Sequence, residues 1–199
     1  MNVRAKLAAP MMTLLLLCLL TGCGEHATNT RESRALEQYA ALTSFIGGAQ
    51  VTANYGDKVY QYEVDLSGDL AGGCLEVTAP ENIAGITFIW SDGGGTAQFE
   101  DVSLETGSLS PDGLSPVDAM PLFLTAITTG RLNDSCVEKL GEEETLRLTL
   151  ANPAYPEGKS EVALWLSAED FSLRRGEIAW EGETVITYTF SAFSFTTEQ

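Results

Sequence analysis

A strict two-residue period is the sequence feature that most constrains the fold. Over Tyr60–Leu66 (YQYEVDL), apolar side chains alternate with polar ones, which predicts a strand with one apolar face. Further segments of strand composition are separated by turn residues such as Gly, Pro and Asp. The predicted strands are Ala49–Tyr55, Val59–Leu66, Gly73–Thr78, Gly85–Trp90, Thr96–Phe99, Val102–Glu105, Thr145–Leu150, Glu161–Leu166, Ser172–Trp180 and Thr184–Phe195. They predict an α+β, mainly antiparallel fold whose sheet of about 9–11 strands must curl or close.

The last predicted strand carries aromatic residues of mixed parity. Tyr188 and Phe190 fall on one face, whereas Phe193 and Phe195 have the opposite parity. A bulge near Ser191-Ala192 would return all four rings to one face, so we expect a bulge there.

The segment before the strands has a helical period instead. Its spacing predicts a helix that begins near Arg34 and ends at Gly47-Gly48. The apolar stripe of this helix consists of Ala35, Tyr39, Leu42 and Ile46.

A second helix is predicted between the two groups of strands. Ser115 suits the N-cap and Pro116 the first helical position, while Gly130 ends the segment. Pro121 lies inside and should kink the helix or delay its start. The helix is apolar almost all round, so we expect the two helices to cover the apolar face of the sheet.

The N-terminal segment predicts export. A basic n-region and a short apolar run, Met11–Leu20, precede Thr21-Gly22 and Cys23. This pattern resembles the lipobox of bacterial lipoproteins, which implies cleavage of the signal peptide 1–22 and diacylglycerol on Cys23. The protein would then be lipid-anchored on the extracytoplasmic face of a cell membrane, with residues 23–33 as a tether. The alternative is an ordinary secretory signal followed by a chance cysteine.

The negative net charge of the chain argues against some classes of binding partner. The chain has a formal net charge of −17, which argues against nucleic acid and against adhesion to anionic headgroups. We therefore expect contact with the membrane through the lipid on Cys23.

Two cysteines other than Cys23 remain after cleavage. Cys74 and Cys136 would face an oxidising compartment, where they could form a disulfide. The alternative is two free thiols that behave as small apolar side chains.

Catalytic patterns are scarce. His26 is the only histidine and lies in the tether, where a catalytic base would lack rigid support. A Ser-His-Asp or Cys-His arrangement within the domain is therefore excluded, and no zinc motif or phosphate-binding glycine loop is present. We predict a protein that is not an enzyme and that has no cofactor and no metal site.

Large apolar residues are the remaining candidates for a site. They are either ordinary core or the lining of a cavity for an apolar ligand between sheet and helix. The candidates are Phe88, Trp90, Met120, Phe123, Leu124, Ile127, Trp165, Tyr188 and Phe190.

The order of several segments carries a resemblance to a known family. They are Cys74–Pro80 (CLEVTAP), Gly85–Trp90 (GITFIW), Leu114–Leu124 (LSPVDAMPLFL) and Glu161–Phe195. With the lipobox, tether and first helix, this layout resembles LolA-like and LppX/LprG-like bacterial lipoproteins, including germination lipoproteins of spore formers. The resemblance implies a single domain over residues 34–199, a strongly curved half-open β-barrel covered by two or three helices.

The family's functions yield two hypotheses for this chain. In the first, an apolar ligand, either a lipid or the acyl chain of a lipoprotein, binds between the curved sheet and a helical lid around Leu114–Gly130. In the second, the domain is a non-catalytic scaffold that recruits an envelope or spore protein such as a cell-wall hydrolase. No binding residue of the family maps onto this sequence.

Overall fold

The computed structural model describes residues 30–91, 94–107, 110 and 112–198, and within them it forms two α-helices and eleven β-strands. Helix α1 spans Arg31–Ala40 and helix α2 spans Pro116–Thr129. The strands are β1 (Leu42–Asn54), β2 (Val59–Gly68), β3 (Gly72–Ala79), β4 (Thr87–Ser91), β5 (Gly94–Phe99), β6 (Val102–Gly107), β7 (Leu132–Leu140), β8 (Glu143–Ala151), β9 (Ser160–Ser167), β10 (Leu173–Trp180) and β11 (Glu183–Thr197).

All eleven strands belong to one curved antiparallel sheet. Its order is β6-β5-β4-β3-β2-β1-β11-β10-β9-β8-β7, so β6 and β7 are its two edges and the barrel is not closed. Two meanders, each built from neighbouring strands, are joined where β1 pairs with β11. The predicted α+β, half-open barrel is confirmed.

The helices cover only part of the inner face of this sheet. Helix α1 lies against α2 and β8, and α2 lies against β1, β8 and β9. We call β7–β11 with the two helices and their connecting loops the closed wing. Strands β2–β6, with the loops from residue 55 to residue 115, are the open wing. Strand β1 lies between the wings.

The first predicted helix ends too late. Helix α1 stops at Ala40, and a strand, not a helix, runs from Leu42 through Gly47-Gly48. Pairing with β2 on one side and β11 on the other outweighs the local helical period. Ile46, which the helical stripe would bury, is 64 % exposed.

Glycine at position 47 is required by close packing in the sheet. A Cβ there would lie 2.7 Å from the Ala192 carbonyl oxygen, so any larger residue would push β11 away. Gly47 therefore serves strand packing, and neither glycine ends a helix.

Two further differences concern segment limits. Residues 31–33, which were assigned to the predicted tether, are helical, because α1 already begins at Arg31. Strand β7, Leu132–Leu140, was not expected, since its sequence LNDSCVEKL has little apolar alternation. It is an edge strand, so polar side chains meet water on it at little cost.

The limits of α2 and the bulge in β11 are confirmed. The helix has Ser115 at its N-cap and Pro116 as its first residue, although the Ser115 hydroxyl makes no capping hydrogen bond. Pro121 lies within the helix and does not delay its start. In β11, Gly48 pairs with Ala192 but Ala49 pairs with Phe190, so one extra residue bulges between them.

The predicted signal peptide, Cys23 and His26 lie outside the described residues. Within the described part, neither helix is long and apolar enough to cross a membrane.

Candidate apolar ligand site

An apolar cavity of about 230 Å³ lies between the inner face of the sheet and the beginning of α2. Three parts of the chain enclose it: strands β1–β4 with β11, the loop between β3 and β4, and the first residues of α2. Its lining consists of Val51, Tyr62, Val64, Leu75, Val77, Ile83, Ile86, Phe88, Ser115, Pro116, Val117 and Tyr188.

The two-residue period of the strands determines which strand residues line the cavity. Val64 faces Val77 across β2 and β3, and Leu75 faces Phe88 across β3 and β4. Side chains that are opposite each other in a sheet share a face, so all four lie on the inner face. The alternation of β2 thus builds one wall of the cavity.

The loop between β3 and β4 is held against that wall by its backbone. The Gly85 N–H donates to the Val77 carbonyl oxygen and the Val77 N–H donates to the Ile86 carbonyl oxygen, both at 2.8 Å. These bonds fix the loop that contributes Ile83 and Ile86 to the cavity.

Two tyrosine hydroxyls hold the segment that begins α2. Tyr188, fully buried on β11, donates to the Pro116 carbonyl oxygen. Tyr55, after β1, donates to the Leu114 carbonyl oxygen at 2.7 Å. The first residue of α2 is therefore tied to β11, and the residue before the N-cap is tied to the segment after β1, both at the border of the cavity.

Among the described residues, no charged side chain lines the cavity. Burial, and then the nearby Asp118, raise the pKa of Tyr188, so its phenol stays neutral. Burial and the neighbouring Tyr60 likewise raise the pKa of Tyr62. Of the lining residues that the structure describes, only two tyrosines and one serine have polar side-chain groups, which suits an uncharged apolar ligand. These residues provide no nucleophile paired with a base.

Asp118, in the first turn of α2, is buried but does not line the cavity. Burial and the charge of Asp112 raise the pKa of Asp118, while a hydrogen bond from the Ser110 backbone lowers it, and the net shift is upward.

The structure brings only two of the candidate residues to the cavity, Phe88 and Tyr188. The other candidates that face inward belong to the core: Trp90, Met120, Phe123, Leu124, Ile127 and Phe190. Phe123 contacts the ring of Tyr188 edge-on at 5.5 Å and fills the space above Gly176, whose Cβ would lie 2.6 Å from the Phe123 ring. Most of α2 is therefore core, and only its beginning borders the cavity.

Trp165 lines neither the cavity nor the core, contrary to the prediction, because it lies on the outer face of the sheet. It pairs with Arg147 on β8 and Arg175 on β10, and both guanidinium groups stack on its ring at 5.2 and 5.5 Å. Its indole N–H donates to the Glu138 carboxylate at 2.5 Å. Charged side chains, and not the core, bury Trp165. The alternation along β9 would have predicted its outward position once the inward-facing residues of that strand were known.

The two remaining cysteines are not bridged. Cys74 lies on β3 and Cys136 on β7, and both are free thiols. Burial and the neighbouring Glu76 raise the pKa of the Cys74 thiol.

A larger depression, about 530 Å³, lies on the outer side across β11, β1, β2 and β3. Asp65, Ser67 and Glu76 line it, so it presents carboxylates and not an apolar enclosure. Among the described residues, no cluster of His, Cys, Asp or Glu has a metal-binding arrangement.

Comparison with known proteins gave matches among solved structures only. No family model matches the chain, and no curated protein matches it. A LolA superfamily protein from Nitrosomonas europaea has 13 % identity and a TM-score of 0.43, covering 84 % of this chain and 94 % of its own. Lipoprotein LppX from Mycobacterium tuberculosis has 18 % identity and a TM-score of 0.46, covering 84 % and 95 %.

A third structure is the CwlD amidase from Clostridioides difficile in complex with the GerS lipoprotein. The matched chain has 15 % identity and a TM-score of 0.45, covering 87 % of this chain and all of its own. These neighbours are proteins of the kind that the sequence resembles. At such identities and TM-scores the likeness concerns the fold alone.

Proposed function

We propose that this protein is a lipid-anchored, extracytoplasmic lipoprotein that binds an uncharged apolar chain, from a lipid or a lipoprotein, and performs no catalysis. The observation that carries the proposal is the cavity under the beginning of α2, whose lining is apolar and free of charge. Burial of an apolar chain there contributes about 0.8 kcal/mol for each CH₂ removed from water.

The size of the cavity limits what it accepts. Its volume of about 230 Å³ is below the roughly 300–1,000 Å³ typical of ligand pockets. We therefore assign it the end of one apolar chain. The remainder would follow the inner face beyond Phe88, where Ala97 continues the same side of the sheet.

Entry of the chain requires movement at the beginning of α2 only. Beyond its first turn the helix is buried in the core, so a displacement of the whole helix would open that core. The two tyrosine hydrogen bonds to Leu114 and Pro116 are the contacts that such a movement breaks.

A cavity-filling variant tests the binding site. We expect Val77→Phe to weaken binding of the uncharged fluorophore phenylnaphthylamine at least about tenfold, a loss of roughly 1.4 kcal/mol. Ile89→Phe, on the outer face of the adjacent strand, is the matched control and should bind as the wild type does. Val117→Phe fills the cavity from the helix side. It provides a second test if Val77→Phe does not fold.

The binding proposal fails if the wild-type protein takes up no fluorophore, or if the filled variants bind it as well as the control. Native mass spectrometry of protein extracted gently from cells gives a second readout. It should show added lipid mass on the wild type and less on Val77→Phe.

Anchoring is tested separately at Cys23. Cells fed an alkyne fatty acid should label the wild-type protein and the Cys74→Ser control, whereas Cys23→Ser should remain unlabelled. Equal labelling of Cys23→Ser would show that the lipid is not attached there.

A further inference from the structure

Strand β6 is an open edge of the sheet. In the part of the chain that the structure describes, β5 pairs with one side of β6 and no strand pairs with the other. All six of its residues are exposed. Its sequence, VSLETG, has neither the lysine nor the proline that commonly protects an edge strand.

The opposite edge differs. Strand β7 carries Asp134, Glu138 and Lys139, whereas β6 carries Glu105 alone. Both edge strands pair irregularly with their neighbours, so the charges make the difference, because charges discourage addition of another strand. Of the two edges, β6 is therefore the less protected.

The two faces of β6 have different chemistry. Val102 and Leu104 continue the inner face and are 69 % and 65 % exposed, next to the half-exposed Phe99. Ser103 and Glu105 lie on the outer face. An added strand would thus meet apolar side chains on one side and a carboxylate on the other.

The charge around β6 is almost entirely negative. Residues 55–115 contain eleven Asp and Glu residues and a single cation, Lys58. None of the ion pairs between described residues involves this wing. A basic partner is therefore attracted, and a second copy of the same acidic strand is repelled.

We propose that β6 binds an extended segment of a partner protein in which apolar residues alternate with Lys or Arg. The segment adds a twelfth strand to the sheet. Its apolar side chains lie beside Val102 and Leu104, and its basic side chains lie beside Glu105. The cavity takes no part, so this site is independent of the proposed lipid site.

The pairing geometry identifies which backbone groups of β6 are free. Phe99 and Val102 are paired across a two-residue turn. The residues that flank such a turn generally form a hydrogen-bonded pair, so we expect the Ser103 N–H to point away from β5. Ser103→Pro removes that donor and leaves the bonds to β5 intact, since proline is tolerated on an edge strand. Ser103→Ala is the matched control.

The test uses a labelled peptide of alternating Lys and Val, followed by fluorescence anisotropy. We expect the wild type and Ser103→Ala to bind it equally and Ser103→Pro to bind about tenfold more weakly. A peptide of the same composition, with its Lys and Val residues in two blocks, should also bind about tenfold more weakly. Equal binding of the two peptides would mean charge attraction alone and would overturn the proposal, as would no binding at all.

A charge reversal excludes a folding defect as the cause. Glu105→Lys should weaken binding of the Lys-Val peptide and strengthen binding of the corresponding Glu-Val peptide, which a misfolded variant would not do. Sedimentation tests the competing occupant: a wild-type dimer that Ser103→Pro converts to a monomer would assign β6 to a second copy and overturn the proposal.

The two proposals fail separately. Val77→Phe should still bind the peptide but bind the fluorophore weakly. Ser103→Pro should still bind the fluorophore but bind the peptide weakly. Loss of both ligands in both variants would count against a separate site on β6.

Discussion

The open and closed wings follow the same alternation of side chains and yet differ in what covers their inner faces. Ten large apolar side chains are exposed among the described residues, and eight of them lie in the open wing. Of the twelve largest fully buried side chains, only Leu66 and Leu75 belong to it. A period of two thus decides which side chains share a face, but the helices decide whether that face is core or binding surface.

Charge separates the wings as well. The ion pairs between described residues all lie in the closed wing, for example Arg174 with Glu143 and Lys159 with Glu181. The open wing has no such pairs because it holds a single cation. Within the described ranges, ion pairs are therefore confined to one wing, and the other wing holds acids without a basic partner and most of the exposed apolar residues.

Truncation of one aromatic residue in each wing should give the largest difference in the free energy of unfolding between the two wings. Phe123→Ala removes a fully buried ring from the closed wing and should lower the free energy of unfolding by about 3–5 kcal/mol. Phe99→Ala, in the open wing, removes a ring that is already half-exposed and should cost about 0.5 kcal/mol. Urea unfolding measures both values, and equal losses would show that the wings are equally packed.

The two tyrosines that hold the beginning of α2 give a smaller, graded effect. Tyr188→Phe leaves the Pro116 carbonyl oxygen without its buried donor and should cost about 1–2 kcal/mol. Tyr55→Phe affects an exposed bond, where water replaces the hydroxyl, and should cost about 0.5 kcal/mol or less. Hydrogen exchange at the first turn of α2 should speed up in both variants, and more in Tyr188→Phe. The reverse order would mean that the exposed bond is the principal contact.

Two carboxylates should have the smallest effects on stability, and these effects depend on pH. The pKa of Asp118 is raised, so its ionisation lowers stability as pH rises through the folded-state value. Asp118→Asn should therefore raise the melting temperature at neutral pH, and this gain should disappear below the ordinary aspartate pKa of about 3.9.

Asp170, also in the closed wing, has a pKa shift of the opposite sign. Burial alone would raise the pKa of Asp170, but hydrogen bonds from Ser172 and Ser167 and the charge of Arg174 bring it below its usual value. The stability that it contributes is present above the ordinary aspartate pKa and is lost as pH falls through the folded-state value. Asp170→Asn should lower the melting temperature at neutral pH and have little effect in acid. Shifts of the same sign in the two variants would contradict this assignment.

Sequence reasoning identified most of the sheet, because alternation and turn residues are local signals. It failed where long-range pairing competed with a local pattern, as at Leu42–Gly48, where β2 and β11 hold the chain extended. It also missed β7, whose polar residues are compatible with an edge but do not signal a strand.

The candidate site was harder to predict. Phe88 and Tyr188 were identified among nine apolar candidates, but Val77, Ile83 and Ile86 carry no signal that separates cavity from core. Trp165 was misplaced because an aromatic residue buried between two guanidinium groups has the same sequence appearance as one in the core.

By itself, the sequence determined the strands, their faces and the beginning and end of α2, since these depend on neighbours along the chain. Only the tertiary structure decided that α2 packs against β1, β8 and β9, that its beginning borders β2–β4, and that β5 and β6 have no buried residue. That choice depends on packing between residues far apart in sequence, such as Phe123 against Gly176, where the absence of a side chain on the sheet admits a ring from the helix. The cavity results from this placement.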